Sequence, residues 1–258
     1  MTVRSHKVLD DVLARLQRMW VSDLPVEMLA FEQRRLEQIV RPFCRTDPVR
    51  AYYLLGVLAT LRGDVDETRS RFNNALRHSN HDADVRRGYG VCLMRLRHFA
   101  EARGQYEAIF AEDQEDLGVL AELIVTSLAT GRIQDGVRWI QRWSELNPDR
   151  PFEEAETISK SAALLEKFGI SDDHVERLQR LALGILEREL LNAKAVNYRG
   201  VPFDDPEWIE ADVVVDESES VVEGLNGKLS RVLTTNAPPP RLAEVIKFTY
   251  LSGTSTVP

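Results

Sequence analysis

Along the first 195 residues, apolar side chains recur at steps of three and four, the period of a helix with one buried face. Leu54, Leu55, Leu58 and Leu61 make one such stripe, and Phe72, Ala75 and Leu76 the next. Residues 5–20 place Val8, Leu9, Val12, Leu13, Leu16 and Met19 on one face, and residues 26–42 do the same with Leu29, Phe31, Leu36, Ile39 and Val40. Two more helices are predicted after Pro151. One covers 152–168 and ends at Gly169. The other runs from 172 to about 195, with Ser171 as N-cap and Asp172 and Asp173 in its first turn, where carboxylates suit the helix dipole. At Tyr198 the period changes, and Gly200, Pro202 and Pro206 break the helical pattern. Ile209–Val215 predicts a strand, Ser218–Leu233 a helix, Ala237–Pro240 a loop and Val245–Leu251 a second strand, with Ala195–Tyr198 as a candidate third. The tail from Ser252 to Pro258 is expected to be mobile.

The helical pattern also repeats on a longer period. Gly56 is followed 34 residues on by Gly90, and Gly63 is followed two periods on by Gly131, with Arg97 between them. Leu55, Tyr89 and Leu123 share a phase, as do Phe72, Tyr106 and Ile140, and Ala75, Ile109 and Trp143. Frames 49–82, 83–116 and 117–150 align without insertion. A small residue at 56 or 90 would let two helices of one unit approach closely. The large residue at 72, 106 or 140 would fill the space between them. Gly63 and Gly131 suit the tight turn between the helices. A unit of this size cannot bury its own apolar face, so neighbours must stack.

These frames resemble the tetratricopeptide repeat, a helix–turn–helix unit of 34 residues. Its early large residue falls here on Tyr52, Arg86 and Leu120, and its Leu-Gly pair on Leu55-Gly56, Tyr89-Gly90 and Leu123-Ile124. The small residue of its second helix falls on Thr68, Ala102 and Gly136, and its closing proline appears once, as Pro148. The resemblance covers about 102 residues. It implies a mainly α fold, an α-solenoid of antiparallel helix pairs, and the change of period at Tyr198 adds a small C-terminal α/β module. The expected organisation is an N-terminal helical cap over 1–48, three repeats over 49–150, a closing helical hairpin over 151–195 and a β(β)αβ module over 196–258. A module of about 60 residues has a marginal core, so it is expected to pack on the preceding helices.

Charge sharpens the picture. The net charge is −8, but residues 1–110 hold 18 Lys and Arg against 14 Asp and Glu, while residues 111–258 hold 15 against 27. An acidic chain repels phosphate at long range, which argues against a nucleic-acid partner. No apolar run approaches the roughly 20 residues that span a bilayer, so no membrane insertion is expected. The chain has only two cysteines, Cys44 and Cys92, and neither belongs to a CxxC pair. That fits a reducing, cytoplasmic setting, two buried thiols and no cofactor.

Candidate chemistry is sparse. His78 and His81, with Asp82 and Asp84, could be metal ligands, but an exposed loop between repeats accounts for them more simply. The acidic run Asp204, Asp205, Glu207, Glu210, Asp212, Asp216, Glu217 and Glu219 could supply acid–base carboxylates; a solvated acidic face is the simpler reading. GxSxG and GxxxxGK[ST] do not occur, so no enzyme is expected. Trp139 and Trp143 lie four apart on one helix, Trp143 at a repeat core position.

In the tetratricopeptide family the first helix of each unit lines a concave face. The matching positions are Arg50, Tyr53, Val57 and Thr60, then Asp84, Arg87, Val91 and Met94, then Gly118, Ala121, Val125 and Leu128. The Lys and Asn residues of the family's peptide clamp are missing. The candidate partner-binding residues are therefore Arg50, Tyr53, Val57, Arg87, Val91, Met94, Val125 and Leu128. The same positions could instead pack against the N-terminal helices and never be free. The expected role is a protein-interaction scaffold, an adaptor or chaperone that holds a peptide or helix of a partner, with self-association possible. The alternative is a fixed subunit of a secretion or defence assembly docked through the acidic C-terminal module. A third reading is a small enzyme with its site in that module.

Overall fold

The computed structural model describes residues 2–21, 26–191, 193–201, 208–235 and 242–253. Two compact units divide between Gln114 and Glu115. The first holds α1 (Thr2–Trp20), α2 (Val26–Val40), a 3-10 turn over Arg41–Arg45, and two hairpins: α3 (Pro48–Leu61) with α4 (Val65–His78), and α5 (Ala83–Arg95) with α6 (Phe99–Phe110). The second holds α7 (Leu117–Ala129), α8 (Ile133–Leu146), α9 (Ala155–Lys167) and α10 (Asp172–Arg188), then β1 (Ala193–Val201), β2 (Trp208–Val215), α11 (Glu219–Thr235), the short α12 (Leu242–Val245) and β3 (Ile246–Ser252).

Each hairpin follows from its sequence. Asp47, Asp64, Asp82 and Asp116 stand before α3, α4, α5 and α7, and each carboxylate accepts a backbone N–H of the first turn. Within the hairpins, the ring of Phe72 lies over Gly56 and that of Tyr106 over Gly90. A Cβ at either glycine would come within 2.6 Å of the ring. Phe72 and Tyr106 are fully buried. Thr68, Ala102 and Gly136, the small residues of the second helices, are buried as well.

The turns repeat too. Gly63, Arg97 and Gly131 have φ of 74°, 64° and 75°. In each turn the amide of this residue bonds the carbonyl three positions back. The next amide bonds the carbonyl five back: Asp64 to Ala59, His98 to Leu93 and Arg132 to Ser127. Arg97 thus holds a left-handed conformation that glycine occupies in the other two frames.

In the second unit, α8 has no cap of its own: Arg132 precedes it and makes no capping bond. Asp172, in the first turn of α10, supplies the cap instead. Its two carboxylate oxygens accept the amides of Gln134 and Asp135, each at 2.9 Å. Burial pushes this carboxyl up, and the two amides oppose the shift. Arg132 closes the joint through Asp135, Asp173 and Glu176.

The predicted extent of the helix from 172 needs correction. It ends at Arg188, because Leu190 turns left-handed at φ 58° and the amide of Leu191 bonds the carbonyl of Leu186. The chain is therefore already extended at Ala193, well before Gly200. The three strands lie in the order β1-β2-β3, with β1 and β2 antiparallel and β2 and β3 parallel, joined through α11 and α12. Ile209, Ala211, Val213 and Val215 face one core with Leu165, Val175, Leu186 and Leu225. The module is thus continuous with the helices before it, as its small size demands. The hydroxyl of Tyr250 donates to the Ala182 carbonyl at 2.6 Å, and that of Tyr198 donates to Gln179 Oε1 at 2.5 Å. The side-chain amide of Asn226 pairs with both the N–H and the C=O of Tyr250. Asp204, Asp205, Glu207, the 237–240 loop and the tail from residue 254 lie outside the described residues.

Two stability effects follow. Arg97→Gly relieves the left-handed strain and gives back part of it as unfolded-chain entropy. The net gain is about 0.5–1 kcal/mol, read as a rise in denaturant midpoint at unchanged slope. Asp172→Ala leaves two part-buried amides without their acceptor and costs about 1–3 kcal/mol in the same measurement, with Asp172→Asn recovering part of the loss.

Candidate partner-binding face

In the first unit the face in question is carried by α3 and α5. Arg50, in the first turn of α3, pairs its guanidinium with Asp10 of α1. The ring of Tyr53 lies against Gly88 of α5 and meets Phe72 edge-on at 5.4 Å. Burial raises its phenol pKa above the usual tyrosine value. Val57 is only 8% exposed. Thr60 is buried, donating to the Gly56 carbonyl at 3.0 Å and lying 3.3 Å from the Thr68 hydroxyl. The α3 positions are therefore engaged by α1 or by the hairpin core.

The α5 positions are more open. Asp84 is exposed and Arg87 half-buried. Val91 is 40% exposed, against 8% for Val57 at the same repeat position. Met94 is half-buried, and its sulfur accepts the Tyr106 hydroxyl at 3.4 Å. In the second unit, the corresponding α7 stripe holds exposed Gly118, half-buried Ala121, Val125 at 44% exposure, and Leu128, whose side chain packs over Gly136. The two valines are the open apolar positions of their helices.

Sequence reasoning missed one element of this region. Arg95, in the last turn of α5, donates Nη1 to the Trp20 carbonyl at 3.0 Å and stacks its guanidinium 4.4 Å from the Trp20 ring. The end of α1 therefore meets the end of α5. Trp20 lies outside the repeat frames, and the signal for it was an aromatic residue closing an amphipathic helix just before exposed Val21.

The remaining candidates have ordinary surroundings. His78 stacks on Tyr52 with ring centroids 5.7 Å apart, and His81 Nδ1 faces Arg86 at 3.2 Å. Among the described residues no group of three or more His, Cys, Asp or Glu is placed to hold a metal. Cys44 is half-buried, and burial pushes the Cys92 thiol up to about 12. Asp212 is buried within the sheet, and Asp216 pairs with Lys194 at 3.0 Å. Trp143 donates its indole N–H to the Arg150 carbonyl and meets Phe152 edge-on, while Trp139 is half-buried against the core. Among the described residues no helix is long and apolar enough to cross a membrane.

Arg69 of α4 joins the two hairpins of the first unit by reaching Glu101 of α6, with Nε 2.9 Å from Oε2. The Arg69 bond holds the Glu101 carboxyl below the usual glutamate range; burial opposes it, and His98 adds to it. Stability from this depressed carboxyl is complete above the unfolded value of about 4.3 and disappears as pH falls through the folded one. Glu101→Gln should therefore lower the thermal midpoint at pH 7, and the difference from the parent should close towards pH 3 in calorimetric scans.

A family model described as tetratricopeptide repeat matches residues 59–116. No curated protein matches the chain. Among solved structures, MamA of AMB-1 is similar at 13% identity and a TM-score of 0.45, covering 66% of this chain and 85% of its own. The pilF protein of Pseudomonas aeruginosa is similar at 18% identity and a TM-score of 0.44, covering 72% of this chain and 83% of its own. The matched stretch runs from the end of α3 through α6, and tetratricopeptide repeats generally serve as protein-interaction scaffolds.

Proposed function

We propose that this chain is a non-enzymatic adaptor that binds a segment of a partner protein on the first-helix positions of its repeats. The observation that carries this reading is Val91. It is a bulky apolar side chain at a position where solvent exposure brings no packing, flanked on its helix by Arg87 and Met94. Fully burying an exposed side chain of this size yields about 1.5–3 kcal/mol, Val91 at 40% exposure retains only part of that for a partner, and an arginine one turn away can orient the ligand. Val125 with Leu128 offers a second stripe of the same kind on α7. Arg50, Tyr53 and Val57 act here through the shape of the first unit, since α1 and Gly88 already engage the first two and Val57 is covered.

The test is capture from the native host with the tagged full chain, alongside Val91→Asp and Val125→Asp variants whose thermal midpoints match the parent. A stoichiometric protein should be captured by the parent and reduced at least ten-fold by Val91→Asp, which corresponds to about 1.4 kcal/mol. Full retention by both variants would move the interface off these helices and sink the reading.

A further inference from the structure

Several arginines of the first unit are held by carboxylates: Arg50 by Asp10, Arg62 and Arg71 by Glu67, Arg69 by Glu101. Arg18, Arg95 and Arg97 are among those that form no carboxylate pair within the described residues, and they lie at the ends of two helices that meet. Arg18 lies in the last turn of α1, Arg95 in the last turn of α5, and Arg97 in the turn that follows. All three are exposed. The Arg95–Trp20 contact brings the ends of the two helices together. Apolar surface lies beside this charge. Val21, next to Trp20, is 81% exposed, and Val91 stands one helical turn before Arg95 on the same face of α5.

We propose that the joined ends of α1 and α5 form a receptor for an acidic peptide segment, one carrying Asp or Glu next to bulky apolar residues. This rests on the adaptor reading and names the partner's chemistry. Arg95 is already pinned by the Trp20 ring and carbonyl, so little of its rotamer freedom remains to be lost on binding. One of its five N–H donors is used by Trp20, and the rest of the fork suits a carboxylate. Val21, next to Trp20, and Val91, one turn before Arg95, supply the apolar contacts. Arg18 and Arg97 add positive charge, and neither pairs with an acid among the described residues. In this arrangement α1 is part of the site and not its lid. A nucleic acid fits less well, because the chain as a whole is acidic at −8.

The test uses the full chain and a fluorescein-labelled dodecapeptide alternating Glu with Leu and Phe, read by fluorescence anisotropy. Its counterpart with Lys for Glu and a labelled single-stranded oligonucleotide of equal charge serve as competitors for the assignment. The acidic peptide should bind at least ten-fold more tightly than either, and more weakly as salt is raised. Arg95→Gln and Trp20→Ala should each weaken it at least five-fold, while Arg77→Gln, an exposed arginine at the far end of α4, should not. Should Trp20→Ala disturb α1, Arg95→Gln decides alone, because its side chain is exposed. Equal binding of the lysine peptide, tighter binding of the oligonucleotide, or indifference to Arg95→Gln would overturn the proposal. If the acidic peptide fails while Val91→Asp still abolishes capture of the partner, the adaptor reading stands and only its acidic chemistry falls.

Discussion

The close approach of two helices inside each hairpin is the constraint on which the first unit depends. An aromatic ring can lie flat on a helix backbone only where the facing residue has no Cβ. At Gly56 and Gly90 the missing methyl is the space that Phe72 and Tyr106 occupy. With that distance set, the turn between the helices must be tight, and the left-handed residue at 63 and 97 follows. The stacking of one hairpin on the next then uses the same device again, with Tyr53 of α3 lying on Gly88 of α5. The third frame reaches a buried hairpin by other means. Ile124 replaces the glycine and Ile140 the aromatic, so two medium side chains share the volume that one ring fills elsewhere.

The features that recur at 34 residues were legible in the sequence because each is local and steric. A glycine under a ring and a small residue in the second helix each act within one hairpin. The position of Arg97 was legible for the same reason, although its side chain gives no hint of a left-handed backbone. What recurs nowhere was harder to see. The end of α10 depends on a backbone turn at Leu190, a residue whose apolar character argues for continuing the helix. The parallel pairing of β2 with β3 depends on the α11 crossover, and a short apolar run carries no mark of its partner's direction. Asp172 looked like a residue of its own helix start; its cap on α8 is made across 37 and 38 residues of chain.

The candidate face shows the same division. Periodicity identified which positions of each first helix point one way. It could not say which of them are covered, because covering comes from the neighbouring hairpin for Tyr53 and from a helix outside the repeat for Arg50. Arg50 was placed on the face by its repeat position, and a carboxylate on α1 already uses its charge. Charge has no period, so neither this pair nor the meeting of Arg95 with Trp20 could be read from spacing.

One repeat position makes the point in full. Val57, Val91 and Val125 are the same residue at the same place in three frames, yet the first is buried and the others are open. Core positions of a repeat are held by the neighbour that packs on them, so their chemistry is tied to the fold. The ninth position has no such neighbour within its own hairpin, and its role is decided by whatever lies over it. On α3 the valine is buried and contributes to stability. On α5 and α7 an equally bulky apolar residue gains nothing from water, and its free energy is available to a partner. Exposure at a position that is apolar by pattern, and not apolarity itself, is therefore the ground on which the proposed binding residues are told from packing residues in this chain.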